Sequence, residues 1–127
     1  MIEKREFHRI PFSVKTTLSS QNVSYQGRME NISMKGTLIR LEHGVELLQG
    51  KMYDVTFNAG DDEAPLLLTA EVICVNFSMA GMRFSACSSD AVSRLARLIE
   101  RLASDPNVLM TEHERLRRRV VHYLHEG

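Results

Sequence analysis

Residues 12–18, Phe-Ser-Val-Lys-Thr-Thr-Leu, alternate between two kinds of side chain, and this alternation decides the fold class. Val14, Thr16 and Leu18 fall on one face, while polar side chains fall on the other. A period of two residues is typical of a half-buried β-strand. Similar segments follow along the chain, so we predict five further strands, at Tyr25–Ile32, Gly36–Leu41, Met52–Phe57, Leu66–Phe77 and Met82–Ser85. Six short strands at close spacing favour an antiparallel barrel or sandwich.

The segments between the predicted strands are short and carry turn residues. Gln21-Asn22 predicts the first turn, and Gly27 indicates a bulge in the second strand. Met79-Ala80-Gly81 is interpreted as a turn or as the start of the last strand. The acidic residues 61–63 are interpreted as a solvated hairpin tip. An oxygen cage for a cation would need more ligands at fixed offsets.

After Cys87 the pattern changes to a helical period. An amphipathic helix is predicted, capped by Ser88, Ser89 or Asp90 and covering one end of the barrel. Its apolar face is expected to comprise Val92, Leu95, Ala96, Ile99, Leu102 and Ala103, with Ser93, Arg94, Arg97, Glu100, Arg101 and Ser104 opposite. Residues 105–107 interrupt the pattern, and Thr111-x-x-Glu114 has the form of a capping box. A second helix is therefore predicted from Thr111 to about His125, with a narrow apolar stripe of Leu116, Val120, Tyr123 and Leu124.

Composition is that of an ordinary globular domain, with 127 residues, 43% of them hydrophobic. Sixteen basic and sixteen acidic residues give a formal net charge of zero, which argues against binding nucleic acid or anionic lipid through bulk charge. No apolar run suits a signal peptide or a membrane span. Cys74 and Cys87 are interpreted as reduced packing residues. These features predict a cytoplasmic protein that does not insert into membranes.

Catalytic and metal-binding patterns are weak in this sequence. It contains no G-x-S-x-G, H-E-x-x-H or Walker motif, so no catalytic residue is assigned and the protein is not expected to be an enzyme. His122 and His125 have a spacing that suits a metal ion, but a solvated helix face is the favoured interpretation. No metal and no cofactor are expected.

Two short motifs favour ligand binding. Arg5 and Arg9 form an R-x-x-x-R that precedes the first strand, where Pro11 biases its neighbour toward extended backbone. The motif N-x-S-x-x-G bridges the second and third strands as Asn31, Ser33 and Gly36. Asn31 and Ser33 alternate onto one face at a strand end, and Gly36 permits a positive φ and lets a ligand approach the backbone. For the second motif taken alone, an Asx or Ser turn closed by glycine is the favoured explanation.

In combination the two motifs resemble the PilZ family, over residues 4 to about 103. The hallmark of that family is R-x-x-x-R ahead of the first strand, followed by [D/N]-x-S-x-x-G. Gly81-Met82-Arg83-Phe84 is also similar to a G-x-R-F strand near the family's C-terminal end. The resemblance implies a mainly β fold, a six-stranded antiparallel β-barrel with C-terminal α-helices. It divides the chain into a flexible ligand-binding arm (1–11), a barrel with a capping helix (12–104) and a helical extension (105–127).

The resemblance also implies that the ligand is cyclic di-GMP (c-di-GMP), a bacterial second messenger, held by Lys4, Arg5, Arg9, Asn31, Ser33 and Gly36. Arginine can fork onto phosphate or guanine and can stack on a base. Lys4 occupies a position associated in the family with binding one ligand or a stacked pair, and its charge favours the pair. Asn31 stands where many members have Asp, which removes one charge.

Partners beyond the nucleotide follow only by similarity. A single-domain PilZ protein resembles an adaptor, expected to be a monomer or weak dimer. Its unidentified protein effector would control motility, pili, chemotaxis or exopolysaccharide. The alternative is a PilZ-like interaction module that has lost the ligand. Binding to a nucleic acid polymer is not expected, since the chain has three Tyr, five Phe, no Trp and no net charge.

Overall fold

The structure is a computed structural model that describes residues 9–85 and 87–104. Within these ranges the chain forms six antiparallel strands and one helix. The elements are β1 (Ile10–Ser20), β2 (Val23–Ile32), β3 (Gly36–Leu41), β4 (Met52–Phe57), β5 (Leu66–Asn76), β6 (Met79–Phe84) and α1 (Ser89–Ala103). The strands close into a barrel in the order β1-β2-β3-β6-β5-β4, and β4 returns to pair with β1. The predicted mainly β fold is confirmed, and the alternative of a sandwich is excluded.

The strand boundaries follow the alternating pattern with a few differences. β1 begins at Ile10, two residues before the predicted segment, because Ile10 and Pro11 pair with Ile32 and Asn31. Met79 begins the last strand, and the turn before it is formed by Phe77 and Ser78. The predicted Gln21-Asn22 turn is present with both residues at positive φ (52° and 67°), as a tight hairpin of matching twist requires.

Gly27 does not form the expected bulge. It pairs regularly with Thr16 on one side and Leu41 on the other. A Cβ at this position would lie 2.8 Å from the carbonyl oxygen of Arg40, so the residue is small because neighbouring backbone is close. The register shifts instead between Pro11 and Val14 on β1, and between Met29 and Asn31 on β2.

The barrel interior is filled by the inward-facing residues of all six strands. Fully enclosed side chains include Leu18, Met29, Ile39, Val55 and Val72, each with 0% exposure. A small closed barrel of this kind is stabilised by dense packing of such side chains. Leu95 and Leu98 of α1 join the same core, so the helix covers the barrel beside the β4–β5 loop.

The N-cap of α1 agrees with the sequence prediction, whereas the face of the helix that is buried differs from the predicted one. Ser88 caps the helix, since its Oγ accepts a hydrogen bond from the Ala91 amide at 3.0 Å. The prediction placed Val92 and Ala96 on the buried face and Arg94 on the opposite one, and this was wrong. The buried residues are Ala91, Arg94, Leu95 and Leu98, while Val92 and Ala96 are exposed. Compared with the prediction, the helix is therefore rotated about its axis so that Arg94 faces the barrel.

An ion pair explains this rotation. The Arg94 side chain is 7% exposed and donates to both carboxylate oxygens of Asp61, at 3.0 to 3.2 Å. It also donates to the Ala64 carbonyl at 2.8 Å. A guanidinium can be buried when a carboxylate and a carbonyl satisfy it in this way. Residues 61–63 are thus not simply a solvated tip, because Asp61 anchors the β4–β5 loop to α1.

A second arginine fixes the other end of α1. Arg101, in the last turn of the helix, donates a hydrogen bond from its guanidinium to the Ala59 carbonyl. Two arginines of α1 therefore hold the same loop. The helix is seated on the barrel by polar contacts as well as by its leucines.

The two cysteines are free thiols, as expected, but only Cys87 contacts the core. Cys74 is exposed, and the prediction of a packing residue there was wrong. Cys74 pairs with Gly81, and a Cβ on Gly81 would lie 2.9 Å from the Cys74 sulfur. The thiol therefore covers a glycine on the outer surface.

Only one C-terminal helix occurs in the described residues, where more than one was expected. The predicted helix from Thr111 to His125, with its two histidines, lies outside them. Among the described helices, none is long and apolar enough to cross a membrane. Over the same ranges, no group of three His, Cys, Asp or Glu side chains is arranged to hold a metal ion.

The Asp61–Arg94 pair makes the stability of the fold depend on pH. Burial raises the pKa of Asp61, but hydrogen bonds from Arg94 and the Glu63 amide, with the Arg94 charge, outweigh it and lower the pKa below 3.8. A carboxyl with a lowered folded-state pKa stabilises the fold above its unfolded pKa, and this contribution is lost as pH falls through the folded pKa. Asp61→Asn should therefore lose less thermal stability than the wild type between about pH 6 and about pH 3.

The matched control is Asp62→Asn, at the exposed neighbouring position. Its melting temperature should follow the wild type across the same acid range, apart from a constant offset. The measurement is thermal unfolding by circular dichroism. Equal acid sensitivity in the wild type and in Asp61→Asn would contradict the assigned role of the pair.

Candidate functional site

The candidate site lies where β2 passes into β3. β2 ends at Ile32, residues 33–35 form a tight turn, and β3 begins at Gly36. The motif of Asn31, Ser33 and Gly36 therefore bridges two neighbouring strands, as the sequence predicted. Register shifts in both β1 and β2 adjoin this point. Bulges of this kind re-aim side chains next to binding sites.

Ser33 holds the turn together. Its Oγ accepts hydrogen bonds from the amides of Lys35 (3.1 Å) and Gly36 (3.2 Å) and donates to the Gly36 carbonyl at 3.4 Å. The Ser33 amide donates to the same carbonyl at 2.9 Å. The side chain is buried, and these contacts use the one donor and two acceptor positions of a hydroxyl. The structure therefore shows a turn-forming role for Ser33.

Gly36 is required by a close approach of strands. A Cβ at this position would lie 2.1 Å from the Met82 carbonyl oxygen on β6. The expected positive φ is not found there, since the glycines at positive φ in the described residues are Gly44, Gly50 and Gly60. The Phe84 amide also donates to the Lys35 carbonyl at 2.7 Å, which ties the turn to β6. The close contact between β3 and β6 therefore explains why position 36 is a glycine.

Asn31 presents an unsatisfied acceptor. Its Oδ1 is buried and has no hydrogen-bond partner among the described residues. The backbone at this position is fixed, because the Thr37 hydroxyl donates to the Asn31 carbonyl at 2.7 Å. Buried polar atoms in proteins are normally hydrogen-bonded, and the exceptions require an explanation. A carbonyl oxygen held in a fixed place at a strand end is suited to accept a hydrogen bond from a ligand N–H.

Thr37 was not predicted as a site residue. It is fully buried and supports Asn31 from the next strand. The sequence does carry a signal for it, since a hydroxyl occupies the inward position ahead of Ile39 and Leu41 in an otherwise apolar alternation. A polar residue at such a position needs a partner, and here the partner is the backbone of the motif asparagine.

Arg9 is brought beside this turn. It is exposed and immediately precedes Ile10, which pairs with Ile32 between the two polar motif residues. Arg9 is therefore one residue away from the Ile10–Ile32 pair, and the turn follows directly after Ile32. Lys4 and Arg5 lie outside the described residues.

A further arginine borders the turn on the other side. Arg83 of β6 pairs with Gly36 across the strands and is exposed, with its side chain 3.3 Å from Glu71. Arg83 belongs to the G-x-R-F segment noted in the sequence, although it was not counted among the site residues. Exposed arginines thus lie on or beside the strands at both sides of the turn, which suits a ligand that has anionic groups and N–H donors.

The family model for the PilZ domain matches residues 3–101. The chain belongs to the PilZ domain family. The match spans the barrel, the motif turn and nearly all of α1. None of the curated proteins matches the chain.

Solved PilZ domains share this architecture. The PilZ domain of CeSA from a cellulose-synthesizing bacterium superposes with a TM-score of 0.63 at 19% identity, covering 76% of this chain and 98% of that one. The PilZ domain of Escherichia coli YcgR with c-di-GMP gives 0.68 at 18% identity, covering 80% and 92%. The Bacillus subtilis inhibitor of motility MotI gives 0.66 at 17% identity, covering 83% of this chain and 54% of that one. These likenesses establish the fold.

Gly36→Ala tests the close approach of β3 to β6. The added methyl must displace backbone, so we expect a loss of about 3 kcal/mol or more in the free energy of unfolding. Gly44→Ala is the control, since Gly44 has positive φ (86°) but no atom within 4 Å of its Cβ position. It should cost only about 1 to 2 kcal/mol. Urea unfolding measures both, and equal losses would refute the steric account.

Proposed function

We propose that this PilZ domain is a receptor for c-di-GMP and that it passes its state to a protein effector. The buried Oδ1 of Asn31, which has no partner among the described residues, is the observation that supports this most directly, together with the exposed Arg9 next to the strand pair that carries the turn. The E. coli relative with c-di-GMP has the same fold, which adds support from the family. The nucleotide carries two phosphates and two guanines, so it offers both anions and N–H donors.

Asn31 is proposed to bind a guanine. The exocyclic N2 amino group of guanine is a hydrogen-bond donor, and a fixed carbonyl oxygen accepts from it. Thr37 prevents the Asn31 backbone from moving away, so the acceptor is preorganised. Preorganisation reduces the entropy lost on binding. The neutral amide replaces the carboxylate that many family members carry, and the expected consequence is a change in affinity rather than in ligand.

Arginines are proposed to hold the phosphates. Arg9 stands at the start of β1, where its guanidinium can fork onto a phosphate or stack on a base. Arg5 would act from the same side, and Lys4 would add a charge that favours a stacked pair of ligands over one. Ser33 and Gly36 would shape the turn beneath the ligand. The activity that we assign is binding of c-di-GMP without its chemical conversion. We assign this activity to the cytoplasm.

The effector is proposed to belong to motility, pilus, chemotaxis or exopolysaccharide control. Engagement of the ligand by the arginines that precede β1 would change the surface that such an effector contacts. The alternative is an interaction module that does not bind the nucleotide. The full engagement of the Ser33 hydroxyl within its own turn is the observation that favours this alternative.

Calorimetric titration with c-di-GMP decides between these functions. Arg9→Ala should weaken binding by about 2 kcal/mol or more, roughly 30-fold, because a charge-assisted contact is lost. The melting temperature of the ligand-free protein should stay nearly unchanged, since Arg9 is exposed. Arg97→Ala is the matched control, because Arg97 is an exposed arginine on α1, and its affinity should equal that of the wild type.

GTP and the linear dinucleotide serve as ligand controls and should not saturate the protein. The stoichiometry distinguishes one bound nucleotide from a stacked pair. Absence of heat and of any thermal shift with c-di-GMP would refute the receptor and favour the ligand-free module. Equal weakening by Arg9→Ala and Arg97→Ala would place binding elsewhere.

A further inference from the structure

Three cations lie in one row across the outer face of β1, β2 and β3. Lys15 of β1 pairs with Arg28 of β2, and Arg28 pairs in turn with Arg40 of β3. All three residues are exposed. Neighbouring strands are about 4.8 Å apart, so the three residues span about 10 Å of the barrel surface. We call Lys15, Arg28 and Arg40 the basic row.

The basic row costs the fold stability. Like charges placed directly opposite each other on neighbouring strands are destabilising, and the row contains two such pairs. Arg40 has a carboxylate partner, Glu30, at 3.4 Å. Arg28 donates to the Ser13 hydroxyl at 3.1 Å, and within residues 9–85 and 87–104 neither Arg28 nor Lys15 forms a salt bridge. The chain has sixteen acidic residues, so its composition does not force this arrangement.

The surroundings of the basic row indicate which partner fits it. Glu30 lies two residues after Arg28 on β2, and Glu42 lies two residues after Arg40, so a carboxylate borders the row on either side. The other side chains that flank the row on β1 and β2 are polar: Ser13, Thr17 and Gln26. A nucleic acid strand binds where aromatic rings stack on its bases, and the two carboxylates would repel its phosphates. The pattern of charges therefore favours a protein surface.

We propose that the basic row is a docking surface for an acidic strip of a partner protein, whose carboxylates lie over the three cations. Basic side chains at the edges of that strip would meet Glu30 and Glu42. A second copy of this chain is not the occupant, because two basic rows placed face to face repel each other.

The position of the basic row suits an effector of the proposed receptor. Arg28 and Arg40 lie on β2 and β3, the two strands that carry the motif turn. A partner on the row would therefore contact the same strands as the ligand. The inference rests on the proposed function for the role of this partner as the effector, but the docking itself does not require the nucleotide.

Poly-L-glutamate is the probe for the acidic strip, and fluorescence anisotropy of the labelled polymer at low ionic strength measures its binding. Arg28→Glu should weaken binding at least about tenfold, because it reverses the charge at the centre of the row. The matched control is Arg97→Glu, the same change at an exposed arginine of α1, which should stay within about twofold of the wild type. Equal weakening by both variants, or no binding by the wild type, would overturn the proposal.

The melting temperature gives a second reading that needs no probe. Arg28→Glu places a carboxylate between Lys15 and Arg40, so both repulsive cross-strand pairs become attractive. We expect the melting temperature to rise by about 2 °C or more, with Arg28→Gln between this variant and the wild type. A fall in Arg28→Glu would contradict the repulsion on which the proposal rests.

Two further probes distinguish other anionic partners: oligothymidylate, and vesicles of phosphatidylcholine with phosphatidylglycerol. If either probe binds more tightly than poly-L-glutamate and loses affinity in Arg28→Glu, the assignment to a protein is overturned. All of these measurements use protein without nucleotide. A failure of c-di-GMP to bind in calorimetry would therefore refute the receptor without deciding the role of the basic row.

Discussion

The absence of a side chain at Gly36 is the constraint on which the rest of the structure depends. A Cβ there would overlap the Met82 carbonyl, so only glycine lets β3 lie against β6 at this point. That contact completes the barrel order, because β3 and β6 are distant in sequence and join its two halves. The hydrogen bonds of Ser33 then shape the turn before Gly36, and this turn fixes where β2 ends. Asn31 is held at that end.

The candidate site and the helix are built by different forces. Around Asn31, strand pairing and short hydrogen bonds fix the backbone and leave one buried side-chain oxygen that no described residue satisfies. Around α1, two arginines and a few leucines fix the helix, while the apolar side chains of Val92 and Ala96 stay exposed. In both places the hydrogen-bonding and packing needs of the described residues are met, with one exception at each. The first exception, the acceptor of Asn31, is where we assign a ligand.

Much of the fold follows from local sequence, and the errors have physical reasons. The six strands were predictable because inward and outward residues alternate, and the first turn because Asn22 tolerates positive φ. Gly27 was interpreted as a bulge, and Gly36 as a residue that permits positive φ and ligand approach, whereas close contact with the backbone of a neighbouring strand explains both. Arg94 was placed on a polar face because its partner, Asp61, is 33 residues away and no local pattern connects them. Thr37 interrupts an apolar alternation, which is a local signal, but its partner is a backbone atom on another strand and the local pattern does not identify it.

The central claim is that the Asn31 side chain accepts a hydrogen bond from c-di-GMP, and the side-chain amide resonances of the asparagines test it most directly. On titration of ¹⁵N-labelled protein, the Asn31 side-chain NH₂ signals should shift strongly, because the amide carbonyl beside them gains a partner. The signals of Asn58 and Asn76, which are exposed on other strands and loops, should stay in place. Nucleotide binding that leaves the Asn31 signals unmoved, or no binding at all, would contradict the account.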